Sequence, residues 1–169
     1  MLDLITVTAL LLEIDMIKTV FLHSQEETEA FASSIGAQLI GGECIELESD
    51  LGGGKTTFTR GLLNGMNSIA AVSSPTFTIS KRYDAGELTV YHYDFYRLQE
   101  PGLVAEELKE SLEDPMAVIV IEWAETVKEA LPRVRIHIAI HKTAGNENTR
   151  KLIINVPDKL EYAIAGANV

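Results

Sequence analysis

The most constraining feature of this sequence is a glycine-rich stretch at residues 48–61, ESDLGGGKTTFTRG. Residues 41–49 before it alternate between apolar and polar side chains, which predicts a strand. After it, Phe58, Leu62 and Met66 recur on one side of a helix predicted over residues 56–67. Gly61 and Gly65 would let that helix pack closely on the sheet. A strand, a glycine turn and a helix form the setting of the P-loop pattern, Gly, any four residues, then Gly-Lys-Ser/Thr.

Gly54-Lys55-Thr56 supplies the end of that pattern. Successive amides of a glycine-rich turn converge on a phosphate, and the helix N-terminus adds a favourable dipole. We therefore predict a nucleotide triphosphate ligand, with Lys55 on its β- and γ-phosphates and the Thr56 hydroxyl on Mg²⁺. Ser49 stands where the pattern has its first glycine, and the turn accommodates it without strain if its φ is negative. The alternative is a glycine-rich turn that only caps an ordinary helix.

Two acids are candidates for the Mg²⁺ or water site that a P-loop also needs. Glu122 follows the apolar residues 118–121, and the carboxyl end of a buried strand is the edge where α/β sheets bind ligands. The alternative is that Glu122 only begins a helix. Asp94, within YHYDFYRL at residues 91–98, could orient water or Mg²⁺, or it could equally be a turn acid.

The histidines and the cysteine are less informative. His137 and His141 share one face of a predicted strand, but four residues of strand separate them by about 13 Å, which excludes a metal pair. His23 and His92 are lone residues and are interpreted as structural. Cys44 is the single cysteine, so it cannot form an internal disulfide and indicates a reducing, cytoplasmic setting. It is predicted to be a small core residue.

The remaining pattern indicates one α/β domain. Two β-rich runs flank Asp84-Ala85-Gly86, which predicts a hairpin. Ser24 is a predicted helix N-cap. The fold class predicted is α/β, a three-layer P-loop NTPase-like domain with a mixed central sheet and an inserted β-hairpin. The other predicted strands lie at residues 16–23, 116–123, 133–141 and 149–156, and the other helices at 24–34 and 102–112.

Composition narrows the class of partner. The chain has 169 residues and a net charge of −11, from 25 acidic and 14 basic side chains. Its basic residues form no stripe, which argues against direct, strong nucleic-acid binding. No apolar run approaches the roughly 20 residues of a membrane span, so a membrane is not an expected partner.

Four motifs together resemble a known family. The runs DLGGGKTTFTRG, SSPTFT, YHYDFYRL and VIVIEW, in this order and spacing, are similar to the bacterial TsaE (YjeE) family. The resemblance covers about residues 21–156. It implies a small P-loop ATPase, with ATP and Mg²⁺ as cofactors, that is required for the threonylcarbamoyl modification of adenosine in tRNA.

The resemblance also implies roles for individual residues. Asp94 and Glu122 would be the catalytic acids, and Thr56 and Glu122 the Mg²⁺ ligands. Trp123 would be the companion of Glu122, and Ser74-Pro75-Thr76 the family's switch segment. Ser49 and Gly53 depart from the family's usual glycine and alanine. The residues implied in nucleotide binding are Leu51, Gly52, Gly53, Gly54, Lys55, Thr56, Thr57, Asp94 and Arg150.

The family acts within a complex. The resemblance implies partners TsaD and TsaB, with nucleotide turnover resetting the complex and tRNA contacted only indirectly. The tyrosines of the hairpin motif offer a docking surface for a partner, or they pack on the core. The competing function is a small-molecule or nucleotide kinase, whose arginine-rich lid is not evident. A GTPase is disfavoured because no Asn-Lys-x-Asp motif occurs, and an ABC ATPase because no Ser-Gly-Gly-Gln signature occurs.

The first fifteen residues, MLDLITVTALLLEID, supply no motif or cap that the domain requires. We expect them to be an extension, with natural translation starting at Met16 and residues 16–169 forming the ATPase domain. A chain that begins at Met16 should keep its melting temperature and its affinity for ATP, because termini without tertiary anchoring tolerate removal. Calorimetric scanning and ATP titration of both lengths would measure this, and a loss of several degrees would show that the extension belongs to the fold.

Overall fold

The computed structural model describes residues 15–167. Strands and helices alternate through most of the chain, and short 3₁₀ helices occupy Ala124–Ala130 and Asp158–Ile164. The expectation for the N-terminal extension falls, apart from Asp15, outside the described residues. The strands are β1 (Met16–Leu22), β2 (Cys44–Glu48), β3 (Ser80–Ala85), β4 (Leu88–Asp94), β5 (Ala117–Glu122), β6 (Ile136–Thr143) and β7 (Asn146–Val156), and the helices are α1 (Gln25–Gly36), α2 (Lys55–Gly65) and α3 (Gly102–Glu113).

The strands form one mixed sheet in the order β1-β7-β6-β2-β5-β4-β3. The central strands β6, β2, β5 and β4 are parallel to one another. Antiparallel pairs complete the sheet: β7 pairs with β6 and β1 pairs with β7 on one side, and β3 pairs with β4 on the other. The predicted hairpin is β3–β4, and β4 carries it into the sheet by pairing with β5. The predicted α/β fold with a mixed sheet is confirmed.

Helices α1 and α2 cover one face of the sheet. Their apolar side chains, such as Phe31, Ile35 and Phe58, pack on inward residues of the strands. A Cβ on Gly61 would lie 2.4 Å from the carbonyl oxygen of Glu29, and a Cβ on Gly65 would lie 2.0 Å from that of Ser33. These glycines therefore allow α2 to approach α1 closely, so the prediction that they serve packing on the sheet was wrong.

Helix α3 and the 3₁₀ helix Ala124–Ala130 cover the other face over β4 and β5. Leu108 and Val127 pack there on Tyr93 and Ile119. Three layers result, as predicted. The two covered faces also explain why two of the four hairpin tyrosines, Tyr83 and Tyr93, cannot belong to a docking surface. Tyr83 and Tyr93 are buried and Tyr91 is half-buried, whereas Tyr96 is 46% exposed.

Local sequence signals predicted the positions of Ser24 and Cys44 correctly. The Ser24 hydroxyl accepts a hydrogen bond from the Glu27 amide at 3.1 Å, which confirms it as the N-cap of α1. Cys44 is buried, and burial raises the pKa of its thiol to about 12, so it stays protonated at neutral pH. No helix within residues 15–167 combines the length and the apolar character needed to cross a bilayer.

Candidate functional site

The glycine loop joins β2 to α2 and lines a cavity of about 310 Å³ at the carboxyl end of the central strands. Gly52 and Gly54 have φ of 70° and 119°, which side chains other than glycine rarely adopt. Gly54 is the N-cap of α2, and no side chain caps the helix there. The first amides of α2 are therefore free to bind an anion. The loop and acid residues that line the cavity are Leu51, Gly52, Gly53, Gly54, Lys55, Thr56, Thr57, Asp94 and Glu122.

Ser49 fits the turn without backbone strain. The non-glycine residues with positive φ in the described chain are Asn67, Ile79 and Trp123, so the φ of Ser49 is negative. This is the condition under which serine can replace the first glycine of the P-loop pattern.

Lys55 lies inside the loop, and only 6% of it is exposed. Its Nζ donates to the carbonyl oxygens of Ser49 at 2.9 Å and Asp50 at 3.2 Å. It also lies 4.0 Å from Glu122 Oε2 and 4.7 Å from the centre of the Trp123 ring. Burial lowers the pKa of the amine below its ordinary value, while the carboxylates of Glu122, Asp94 and Asp50 act in the opposite direction. A nearby phosphate would stabilise this desolvated cation.

The two candidate acids lie side by side. Asp94 ends β4 and Glu122 ends β5, and the two residues are direct partners in the parallel register of these strands. The two residues are 2% and 3% exposed. The register places both carboxylates on the same face of the sheet, toward the first turn of α2. The predicted acids are therefore brought together with Lys55 and Thr56 in one cavity.

His92 belongs to the same cluster, although the sequence suggested only a structural role. It is fully buried, and its Nε2 lies 2.9 Å from Glu122 Oε1. The hydrogen bond leaves Glu122 Oε2 on the side of Lys55. The sequence did contain a signal for this position. His92 lies two residues before Asp94 on the same strand, and alternate residues of a strand share a face.

Asp94 is held by the segment that contains Ser74 and Thr76. The Ser74 hydroxyl donates to Asp94 Oδ2 at 3.1 Å, and the Thr76 hydroxyl donates to the same oxygen. The Tyr96 amide donates to Asp94 Oδ1 at 3.0 Å. Both carboxylate oxygens thus have hydrogen-bond donors, which fixes the side chain at the cavity wall.

Arg150 lies beside the loop, outside this cavity. Its Nε donates to the Gly53 carbonyl oxygen at 2.8 Å. It lines a second hollow of about 120 Å³, which is adjacent because Gly54 and Thr57 border both. Polar groups from the start of α1, Ser24 and Gln25, complete that hollow.

These parts together can hold a polyphosphate and act on it. The loop amides and Lys55 supply positive potential, and Thr56, Asp94 and Glu122 supply oxygen donors of the kind that Mg²⁺ prefers. His137, by contrast, lies elsewhere and pairs with Glu48 at 2.9 Å.

Comparison with known proteins points to one family. Residues 22–152 match the family described as "Threonylcarbamoyl adenosine biosynthesis protein TsaE". A protein of Bacillus subtilis named tRNA threonylcarbamoyladenosine biosynthesis protein TsaE is 40% identical over 123 residues, covering 72% of this chain and 76% of its own length. A protein of the same name from Nostoc is 34% identical over 141 residues, covering 82% and 85%.

A solved structure shows the same architecture. The crystal structure of Bacillus subtilis YdiB superposes with a TM-score of 0.73 at 32% sequence identity. The match covers 89% of this chain and 93% of that protein.

Proposed function

Because this chain belongs to the TsaE family of threonylcarbamoyl adenosine biosynthesis proteins, we propose that it binds and hydrolyses ATP with Mg²⁺ in that pathway. The observation that carries the proposal is the convergence of a glycine loop and two buried acids in one cavity. Lys55 and Thr56 begin α2, and Asp94 and Glu122 end adjacent parallel strands opposite them. Residues 16–169 are proposed to form the ATPase domain.

The oxygen donors fit Mg²⁺. This ion is usually held by one or two carboxylates together with substrate phosphates and water. The Thr56 hydroxyl and the Glu122 carboxylate are proposed to hold it, and when bound it would neutralise charge on the β- and γ-phosphates. Asp94 is proposed to orient the attacking water, because its side chain is fixed by hydroxyl and amide donors. Lys55 would leave the loop carbonyls to contact the phosphates.

His92 is proposed to position Glu122. Replacement by phenylalanine would leave Glu122 Oε1 without its 2.9 Å partner inside a buried site. We expect His92→Phe to lower the rate of ATP hydrolysis about 10- to 100-fold, in the range found for residues that orient metal ligands. His92→Gln keeps a side-chain N–H and should retain more of the rate. Steady-state kinetics should show the loss in kcat rather than in KM.

The outcome for His92 separates a positioning role from a packing role. Both variants are compared for melting temperature, since the ring is fully buried. Equal loss of hydrolysis in the phenylalanine and glutamine variants would contradict the role assigned to the hydrogen bond.

The partners proposed are TsaD and TsaB, with tRNA contacted only through them. The net charge of −11 supports an indirect link to tRNA, because direct binding of RNA phosphates needs a basic surface.

The buried thiol of Cys44 supports a cytoplasmic location. A pull-down from cell extract with and without ATP tests the partners.

The reaction itself is tested with labelled ATP. The purified chain is incubated with γ-labelled ATP and Mg²⁺, alone and with small-molecule or nucleotide acceptors. Release of labelled inorganic phosphate supports an ATPase. Transfer of the label to an acceptor would instead show a kinase, the alternative that shares the P-loop.

A further inference from the structure

Position 53 requires glycine because there is no room for a side chain, not because of its backbone conformation. Its φ lies outside the left-handed region that Gly52 and Gly54 occupy. A Cβ at this position would nevertheless lie 1.6 Å from Ser49 Oγ, 2.9 Å from Ser49 Cβ and 3.0 Å from the Asp50 carbonyl oxygen. The side chain of Ser49 therefore fills the volume that any larger residue at position 53 would need.

Position 49 lacks the glycine that the P-loop pattern requires, whereas position 53 has a glycine that the pattern does not require. The pattern has glycine at position 49 and accepts any residue at position 53. Here serine occupies the glycine position, and glycine occupies a position where the pattern makes no demand. The steric contact explains the exchange, because a side chain fits at only one of the two sites.

Hydrogen bonds hold the loop backbone on both sides of this contact. The Gly53 amide donates to the Asp50 carbonyl oxygen at 3.0 Å, and the Gly53 carbonyl oxygen accepts from Arg150 Nε at 2.8 Å. The Ser49 carbonyl oxygen accepts from Lys55 Nζ at 2.9 Å. Movement of either residue would disturb these hydrogen bonds. Ser49 Oγ itself is buried and has no hydrogen-bond partner in the described chain, so its contribution is volume rather than a polar contact.

We propose that Ser49 and Gly53 form a matched steric pair that sets the path of the phosphate loop, with Ser49 as a positioning residue for Lys55 and the loop amides. The effect on ATP rests on the proposed function, whereas the steric match does not depend on it. The steric match is separate from ligand contact, since the Ser49 side chain need not touch the nucleotide for the Gly53 backbone to keep its place in the loop.

A double-mutant cycle tests the pair. Wild type, Ser49→Gly, Gly53→Ala and the double variant are compared for ATP affinity by calorimetry and for melting temperature without nucleotide. In the serine background we expect Gly53→Ala to weaken ATP binding about tenfold and to lower the melting temperature by about 4 °C. In the glycine background the same change should weaken binding less than about threefold and leave melting within about 1 °C.

Two further variants sharpen the test. Ser49→Ala combined with Gly53→Ala removes Oγ but keeps the Cβ that would lie 2.9 Å away, so it should not restore the loop. Gly166→Ala is the matched control, since the atoms nearest its added Cβ belong to the Gln38 side chain, at 3.3 Å or more. It should leave the ATP affinity as in wild type.

The outcomes are distinguishable. Equal effects of Gly53→Ala in both backgrounds would overturn the pair while leaving the proposed function intact. A wild-type chain that binds no ATP would overturn the proposed function, and the melting temperatures would still decide the pair. If Gly53→Ala alone fails to fold, recovery of folding in the double variant supports the pair, and continued failure overturns it.

Discussion

Lys55→Ala is expected to weaken ATP binding about tenfold or more, because it removes a charge-assisted hydrogen bond to phosphate. The amine is desolvated at the N-terminus of α2, and among the described residues that line the cavity it belongs to the single lysine or arginine. Its removal also takes away the cation that faces Glu122 at 4.0 Å. The buried carboxylates of Asp94 and Glu122 would then repel the polyphosphate, with less positive charge nearby to offset the repulsion. Calorimetric titration with Mg²⁺–ATP measures the change.

Lys109→Ala is the matched control for this variant. Lys109 lies on α3, and its ammonium pairs with Glu106 at 3.2 Å on an exposed surface. The control should leave ATP affinity unchanged, since exposed ion pairs of this kind contribute little. An unchanged dissociation constant in Lys55→Ala, with the melting temperature preserved, would refute the phosphate-binding role of the loop.

Glu122→Gln and Asp94→Asn should separate binding from turnover. A carboxylate that acts on Mg²⁺ or on the attacking water contributes more to the transition state than to the ground state. Each variant should therefore retain much of its ATP affinity. The rate of hydrolysis, measured in a complex reconstituted with the proposed partners TsaD and TsaB, should fall about 100-fold or more. Phosphate release and equilibrium binding are measured on the same preparations.

Glu46→Gln provides the comparison for an acid outside the site. Glu46 lies on the opposite face of the sheet and pairs with Arg135 at 2.6 Å. Its replacement should leave the rate of hydrolysis unchanged. A loss of hydrolysis in Glu46→Gln would instead reveal a general effect of removing a partly buried carboxylate. Full hydrolysis in Glu122→Gln or Asp94→Asn would remove that residue from the mechanism.

The sequence was sufficient to predict the glycine loop between a strand and a helix and the two acids near it. Glycines between a strand and a helix are a local signal, and so is an acid at the end of a continuous apolar run such as residues 118–121. The contact between these parts depends on register. Asp94 and Glu122 become neighbours because β4 and β5 pair in parallel with these residues opposite each other, and no local pattern encodes that alignment.

The remaining features depend on packing that sequence periodicity does not record. The pairing of β1 with β7 joins residues that are 128 to 140 positions apart, and such contacts carry no local signature. The role proposed for His92 follows from its 2.9 Å contact with Glu122 on the neighbouring strand. Tyr83 and Tyr93 are buried because both faces of the sheet are covered there, which an alternating pattern of aromatic residues does not reveal.

The placement of Trp123 gives the protein an intrinsic optical probe. It is the single tryptophan of the chain, and its ring lies 4.7 Å from the Lys55 ammonium at the wall of the cavity. A cation over an indole ring alters the electrostatic environment of the fluorophore. If Lys55 moves to a phosphate as proposed, that environment changes, and we expect the emission of Trp123 to report occupancy of the loop without any attached label.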